Sequence, residues 1–150
     1  MTLRPASFSF STQAEAYACR AVVKGVIEVI AQWINDKESL HNLNLILTEA
    51  CANVVQHAYT DATSGRIEIC IRILPKVRIE CTVSDWGTGF TQCPLNLKKP
   101  IPLSPPEAES GRGLFIISSL ADSFAISNSG GKNTLHITVN TGSEIWVASE

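Results

Sequence analysis

Two stretches, RIEICIRIL at 66–74 and VRIECTVSD at 77–85, alternate apolar and polar residues almost without a break. Successive side chains of a strand face opposite sides of a sheet, so this pattern fits extended chain with one wet face and one buried face. Pro75 and Lys76 between them leave room only for a tight turn, and the pair reads as an antiparallel hairpin. The apolar face of such a sheet has to be covered by a second layer. Two helical patterns precede the hairpin. Ser11 or Thr12 is expected to cap a helix running to about Asn35, with Val22, Val26, Val29, Ile30 and Trp33 as its apolar stripe. Ser39 is expected to cap a second helix running to about Tyr59, with Leu40, Leu43, Leu47, Ala50 and Val54 facing inward. Phe8 and Phe10, alternating with Ser, mark a short first strand. Downstream, GRGLFIISSLAD restarts as a helix, and SFAIS and TLHITVN flank a Gly-rich turn as a closing hairpin. EIWVA reads as a last strand or a loose tail. The order β-α-α-β-β-loop-α-β-β predicts an α+β fold, a two-layer α/β sandwich with a mostly antiparallel sheet and helices on one face, formed by residues 1–150 as a single domain.

Composition excludes several classes. A net charge of −2 and scattered Lys and Arg give no electrostatic footprint for nucleic acid. The N-terminus, MTLRPASFSF, has no apolar core of the kind a signal peptide needs, and the most apolar stretch, Ala21 to Ile34, is interrupted by Lys24 and Glu28, so neither export nor a membrane span is expected. The five cysteines are odd in number and form no C-x-x-C, which argues against a disulfide framework and a zinc ribbon. A reducing cytoplasm is the expected compartment.

Three local patterns carry chemistry. In LTEACANVVQHAYTD, Glu49, Asn53 and His57 recur every four residues and so fall on one helix face, away from the apolar stripe. A solvated surface stripe and a reactive edge facing a cleft both fit that pattern. SDWGTGF closes the hairpin with Asp85, Gly87 and Gly89. A carboxylate fixed at a strand end can accept from an exocyclic amine, and glycines beside it let a flat ring approach the backbone; the same residues also make an ordinary turn. SGRGLFII opens a helix on Gly111 and Gly113, and a Gly-rich helix start favours phosphate. Between the last two lies TQCPLNLKKPIPLSPPEAE, which holds five of the seven prolines and reads as a long loop, of a length that is usually either functional or disordered.

E-x-x-x-N-x-x-x-H-A-Y on a helix, D-x-G-x-G after a strand, the loop, G-R-G-L opening a helix and a Thr on a late strand together resemble the GHKL ATPase superfamily, with its histidine-kinase-like ATPase fold, over about residues 8–140. Within it the chain looks most like the anti-sigma factor serine kinases; the HAY run and GRGLFII set it apart from histidine kinases. The resemblance implies that ATP and ADP bind with Mg²⁺. Asn53 would hold the Mg²⁺, Glu49 would orient or deprotonate the attacking hydroxyl, and Asp85 would accept from the adenine amino group. Gly87 and Gly89 would line the ring pocket, residues 90–110 would form an ATP lid, and Gly111, Gly113 and Leu114 would bind phosphate through their backbone. Thr134 would sit near adenine. Arg112 fits a phosphate or partner contact and a solvated helix start equally well. Trp86 fits a shield over the adenine pocket or a filler of the turn, and His57 reads as a structural residue at the base of the site. The resemblance further implies a serine/threonine protein kinase acting on a Ser of a STAS-domain anti-sigma factor antagonist, with a sigma factor as second partner and a homodimer as the assembly the family often forms. The alternatives are an anti-sigma or switch-binding module that holds ATP without transferring phosphate, and a detached histidine-kinase-like ATPase domain. Glu49 favours the kinase, because holding a nucleotide needs no base.

Overall fold

The computed structural model describes residues 4–59, 65–88, 96–97 and 109–147. Six strands form one sheet: β1 (Ala6–Gln13), β2 (Arg66–Leu74), β3 (Arg78–Asp85), β4 (Asn96–Leu97), β5 (Ser123–Ser129) and β6 (Lys132–Asn140). Their order across the sheet is β1-β2-β3-β6-β5-β4, and every neighbouring pair runs antiparallel. Helices α1 (Ala16–Ile30), α2 (Lys37–Asn53) and α3 (Glu109–Leu120) make the second layer. The α+β sandwich expected from the alternating hairpin is therefore the observed fold.

The hairpin reproduces its reading nearly to the residue. Ile67, Ile69, Ile71 and Ile73 of β2 and Ile79, Cys81 and Val83 of β3 are all buried. Cys19, Val23, Val26 and Ile30 of α1 and Leu43, Ile46, Leu47 and Ala50 of α2 complete the core. Lys76 takes a positive φ of 65° to close the turn. The turn between β5 and β6 has Gly130 and Gly131 at φ of 59° and 81°, which glycine adopts without steric cost.

The helix starts differ from expectation. Ser11 and Thr12 do not cap α1; they lie in β1, paired with Glu68 and Ile67. Cross-strand pairing outweighs the local capping tendency, and α1 begins after Glu15, which makes no side-chain cap. Ser39 is not the cap of α2 either. Asp36 is, its carboxylate accepting from the Ser39 hydroxyl at 2.6 Å and the Ser39 N–H at 3.0 Å. Those two bonds, the hydroxyl first, hold the Asp36 carboxyl below its ordinary range. α1 stops at Ile30, short of Asn35, because Ile34 turns inward to bridge Trp146. The EIWVA segment is thus neither a strand of the sheet nor loose. Trp146 is buried, Val147 N–H donates to Trp33 O at 2.7 Å, and the indole N–H reaches Gly142 O at 2.8 Å. Within the Pro-rich loop, residues 96–97 form the short strand β4, pairing with β5.

Candidate functional site

α2 ends as an α-helix at Asn53 and continues through Val54–Ala58 as a π-helical turn. A π turn holds more residues than an α turn. Glu49 and Asn53 stand one α turn apart, and His57 lies in the π turn that follows. The π turn delivers the Ala58 carbonyl to the far side of the site, where it accepts from Thr88 N–H at 2.9 Å. Gly87 presses against the same carbonyl. A Cβ there would stand 2.0 Å from Ala58 O, so only glycine fits. Tyr59 completes the join. Its hydroxyl donates to Arg66 O at 2.6 Å and accepts from Arg66 N–H at 3.1 Å and Trp86 N–H at 2.9 Å. The HAY run thus fastens the end of α2 to the start of β2 and the end of β3.

Between these anchors lies a pocket lined by Ala50 and Asn53 of α2, Val54 of the π turn, Val83 and Asp85 of β3, Leu114 of α3, Ile126 of β5, and Asn133, Thr134 and Leu135 of β6. It is mostly hydrocarbon with a few convergent polar groups, the usual character of a small-molecule site. It is open to one side, with about 30 Å³ of free volume between its described walls.

Asp85 is 3% exposed. One carboxylate oxygen, Oδ1, accepts from Gly87 N–H and from the Asn133 amide, both at 2.9 Å. Oδ2 makes no hydrogen bond among the described residues and remains an acceptor in a nearly dry pocket. Burial raises the Asp85 carboxyl above its ordinary range, and the Asn133 and Gly87 donors offset part of that rise. Asn133, itself 4% exposed, also donates to Gly87 O at 2.8 Å and accepts from Asn128 at 2.6 Å. It fixes which carboxylate oxygen is free, and the sequence reading passed over it. The available signal was its phase: Asn133 alternates with Leu135 and Ile137, so an amide sits on the apolar side of a strand. Thr134 borders the pocket, with its hydroxyl 3.0 Å from Ser84 Oγ.

At the other end of the pocket α3 crosses α2 through a glycine. A Cβ on Gly113 would lie 3.1 Å from Asn53 Oδ1 and 3.1 Å from Glu49 Oε2. The two polar side chains therefore converge on the opening turns of α3, whose backbone also includes Gly111 and Arg112. Leu114 reaches the pocket wall. Asn53 is 7% exposed, and its amide nitrogen is buried with no hydrogen-bond partner. Such an orphan carries a desolvation cost of about 1–3 kcal/mol, which a bound polar ligand would relieve. No group of three or more His, Cys, Asp or Glu able to hold a metal occurs among the described residues. Mg²⁺ fits this donor set nonetheless, because it is commonly held by one or two protein oxygens together with substrate phosphates. Gly89 and most of the expected lid, 90–95 and 98–108, lie outside the described residues. Trp86 does not line the pocket. It stacks outside it, under the Arg66 guanidinium at 4.3 Å and the Lys132 ammonium at 5.6 Å. His57 lies in the π turn.

Comparison with known proteins agrees with this layout. Residues 12–139 match the family described as the histidine kinase-like ATPase domain. The serine-protein kinase RsbW of Bacillus velezensis is 32% identical over 98 residues, covering 62% of this chain and 61% of that protein. Its Bacillus mycoides counterpart is 30% identical over 105 residues, covering 65% of this chain and 62% of that protein. The chain thus spans about three-fifths of the length of the curated relatives it matches. Among solved structures, the blue-light activated histidine kinase of Erythrobacter litoralis EL346 superposes with a TM-score of 0.53 at 19% identity, over 71% of this chain and 32% of that one, a likeness of fold.

Proposed function

Because the chain belongs to the histidine kinase-like ATPase family, we propose that it is an ATP-dependent serine/threonine protein kinase of the anti-sigma factor type, acting in the cytoplasm on a Ser of a STAS-domain antagonist. The observation that carries this reading is the convergence of Glu49 and Asn53 on Gly113. Phosphoryl transfer needs positioning and charge neutralisation more than covalent help from the protein. An amide oxygen, a carboxylate and a glycine-opened helix start, all within one turn of α2, supply those needs. In this reading Asp85 accepts from the adenine amino group through Oδ2, while Gly87 and Gly89 let the ring approach. Asn53 holds Mg²⁺ through its amide oxygen, and the ion neutralises phosphate charge when bound. Gly111, Gly113 and Leu114 offer backbone N–H groups to phosphate, with Arg112 beside them. Glu49 takes the proton of the acceptor hydroxyl. The relatives named serine-protein kinase support the reaction class. A sigma factor as second partner and a homodimer follow from the anti-sigma resemblance.

The test is incubation with labelled ATP and Mg²⁺ and the STAS proteins of the same genome, beside calorimetric nucleotide binding. One labelled partner is the expected result. ATP binding with no transfer to any of them would favour the switch-binding module over the kinase. In Asn53→Ala, nucleotide binding should lose its dependence on Mg²⁺; an unchanged magnesium titration would remove Asn53 from the metal site.

A further inference from the structure

One row of the sheet runs from solvent into the pocket. Its members are Asn128 of β5, Asn133 of β6 and Asp85 of β3, each directly opposite the next in the strand register. Residues so paired share a face of the sheet, with Cβ atoms about 5 Å apart, so a short polar side chain can bridge from one strand to the next. Asn128 is exposed, whereas Asn133 and Asp85 are buried. We propose that Asn133, held in place by Asn128, is the residue that sets base selectivity at the pocket: it leaves Asp85 with a single free acceptor, so that the site takes a purine carrying an exocyclic amino group and rejects its carbonyl counterpart. The proposal rests on the nucleotide-binding reading of this pocket and adds what selects the base.

The bonds along the row fix the orientation of every group in it. The Asn133 amide nitrogen lies 2.9 Å from Asp85 Oδ1 and 2.8 Å from Gly87 O. A carboxylate oxygen and a carbonyl oxygen both accept, so it is the NH₂ of Asn133 that faces them, and both of its hydrogens are used. The Asn133 oxygen is thereby turned to Asn128, whose amide nitrogen donates to it at 2.6 Å. The reverse orientation would set the oxygen against two acceptors and the NH₂ against a donor. Asn133 therefore cannot turn over without losing three bonds. Gly87 is engaged as well: its N–H donates to Asp85 Oδ1 at 2.9 Å, and its carbonyl is taken by Asn133. Of the Asp85 and Asn133 side-chain atoms and the Gly87 backbone groups, Asp85 Oδ2 alone is without a partner among the described residues. Two donors on Oδ1 hold the plane of the carboxylate, and hydrogen bonds weaken steeply when misaligned. A base with an amino group at this point donates to Oδ2. A base with a carbonyl there sets acceptor against acceptor, and leaves both unmatched in a nearly dry site.

The test is calorimetric titration of the full chain, with Mg²⁺, against ATP and against inosine triphosphate, which carries a carbonyl where adenine has its amino group. The unaltered chain should prefer ATP by about tenfold or more. Asn133→Leu is close in size and lacks the amide; the carboxylate loses its fixed plane, and most of the preference should disappear. Asn128→Ala, at the solvent end of the row, should narrow the preference in the same direction by about twofold or more, the worth of one hydrogen bond. That variant decides the matter even if Asn133→Leu fails to fold. An Asn133 that only stitches β3 to β6 would lower the affinity for both nucleotides by one factor, so a preserved ratio in either folded variant would overturn the proposal. Failure of the underlying reading looks different: the unaltered chain itself would bind both nucleotides equally or bind neither, and the proposal would fall with it.

Discussion

The two ends of the β2–β3 hairpin are built from opposite materials. Near the turn, Ile73 faces Ile79 and Ile71 faces Cys81, and everything buried there is apolar. Near the open end, Ile67 faces Asp85, Asp85 faces Asn133 on β6, and Asn53 closes in from α2. The first end contributes stability: burying each large aliphatic side chain is worth about 1.5–3 kcal/mol. The second end gives some of that up. A carboxylate and two amides are withdrawn from water there; Asn133 donates to one oxygen of Asp85, and the Asn53 amide nitrogen is left unpartnered. Groups that cost stability and stay incompletely satisfied are those a ligand can complete. The comparison teaches where on this sheet the chain is built for stability and where for binding.

The sharpest way to break that contrast is Glu49→Gln. It keeps the shape and removes the base, so transfer to a STAS partner should fall about 10²–10⁴-fold, while calorimetric ATP affinity stays unchanged; full transfer would mean that the open end binds without catalysing. Next in size, at the turn end, Ile71→Ala should cost about 2–5 kcal/mol in urea unfolding and leave nucleotide affinity intact while the protein is folded. A loss of affinity as large as the loss of stability would show that the two ends are not separable. Smaller again, Asp85→Asn should reduce the preference for ATP over GTP by about 1–3 kcal/mol, the cost of an unmatched buried polar group, as read by titration with both nucleotides.

The smallest effect has the opposite sign. Burial raises the Asp85 carboxyl in the folded state, so the folded chain holds that proton more tightly than the unfolded chain does. The resulting stability is fully present below the ordinary carboxylate range and is lost as pH rises through the raised value. Asp85→Asn has no such loss. It should unfold at higher urea than the unaltered chain near neutral pH, and the gap should close near pH 3. A variant less stable at every pH would mean that Asp85 is a structural anchor.

The turn end was legible in sequence because period-two alternation has one geometric meaning, and the isoleucines of β2 spell it out. The helix starts were not. Ser11 and Thr12 carry a capping chemistry that strand partners 57 and 55 residues away overrode, and the cap of α2 falls on Asp36, three residues before the Ser39 expected. At the site, Glu49, Asn53 and Asp85 stood out by spacing, while the π turn that follows Asn53 has no sequence signature. Asn133 was hidden because one amide in a strand rich in Asn and Thr looks like a solvated edge.

The Tyr59 hydroxyl carries one proton and two lone pairs, and all three are engaged, each by a main-chain atom. An oxygen with its valences full can recruit neither water nor ligand, and it cannot release one partner without leaving a backbone group bare. Three stretches of chain, the exit of α2, the entry of β2 and the exit of β3, are in effect riveted at a single point. The floor and back of the pocket share that anchor, whereas on the α3 side Leu114 borders the pocket and the crossing at Gly113 presents no side chain to its neighbour.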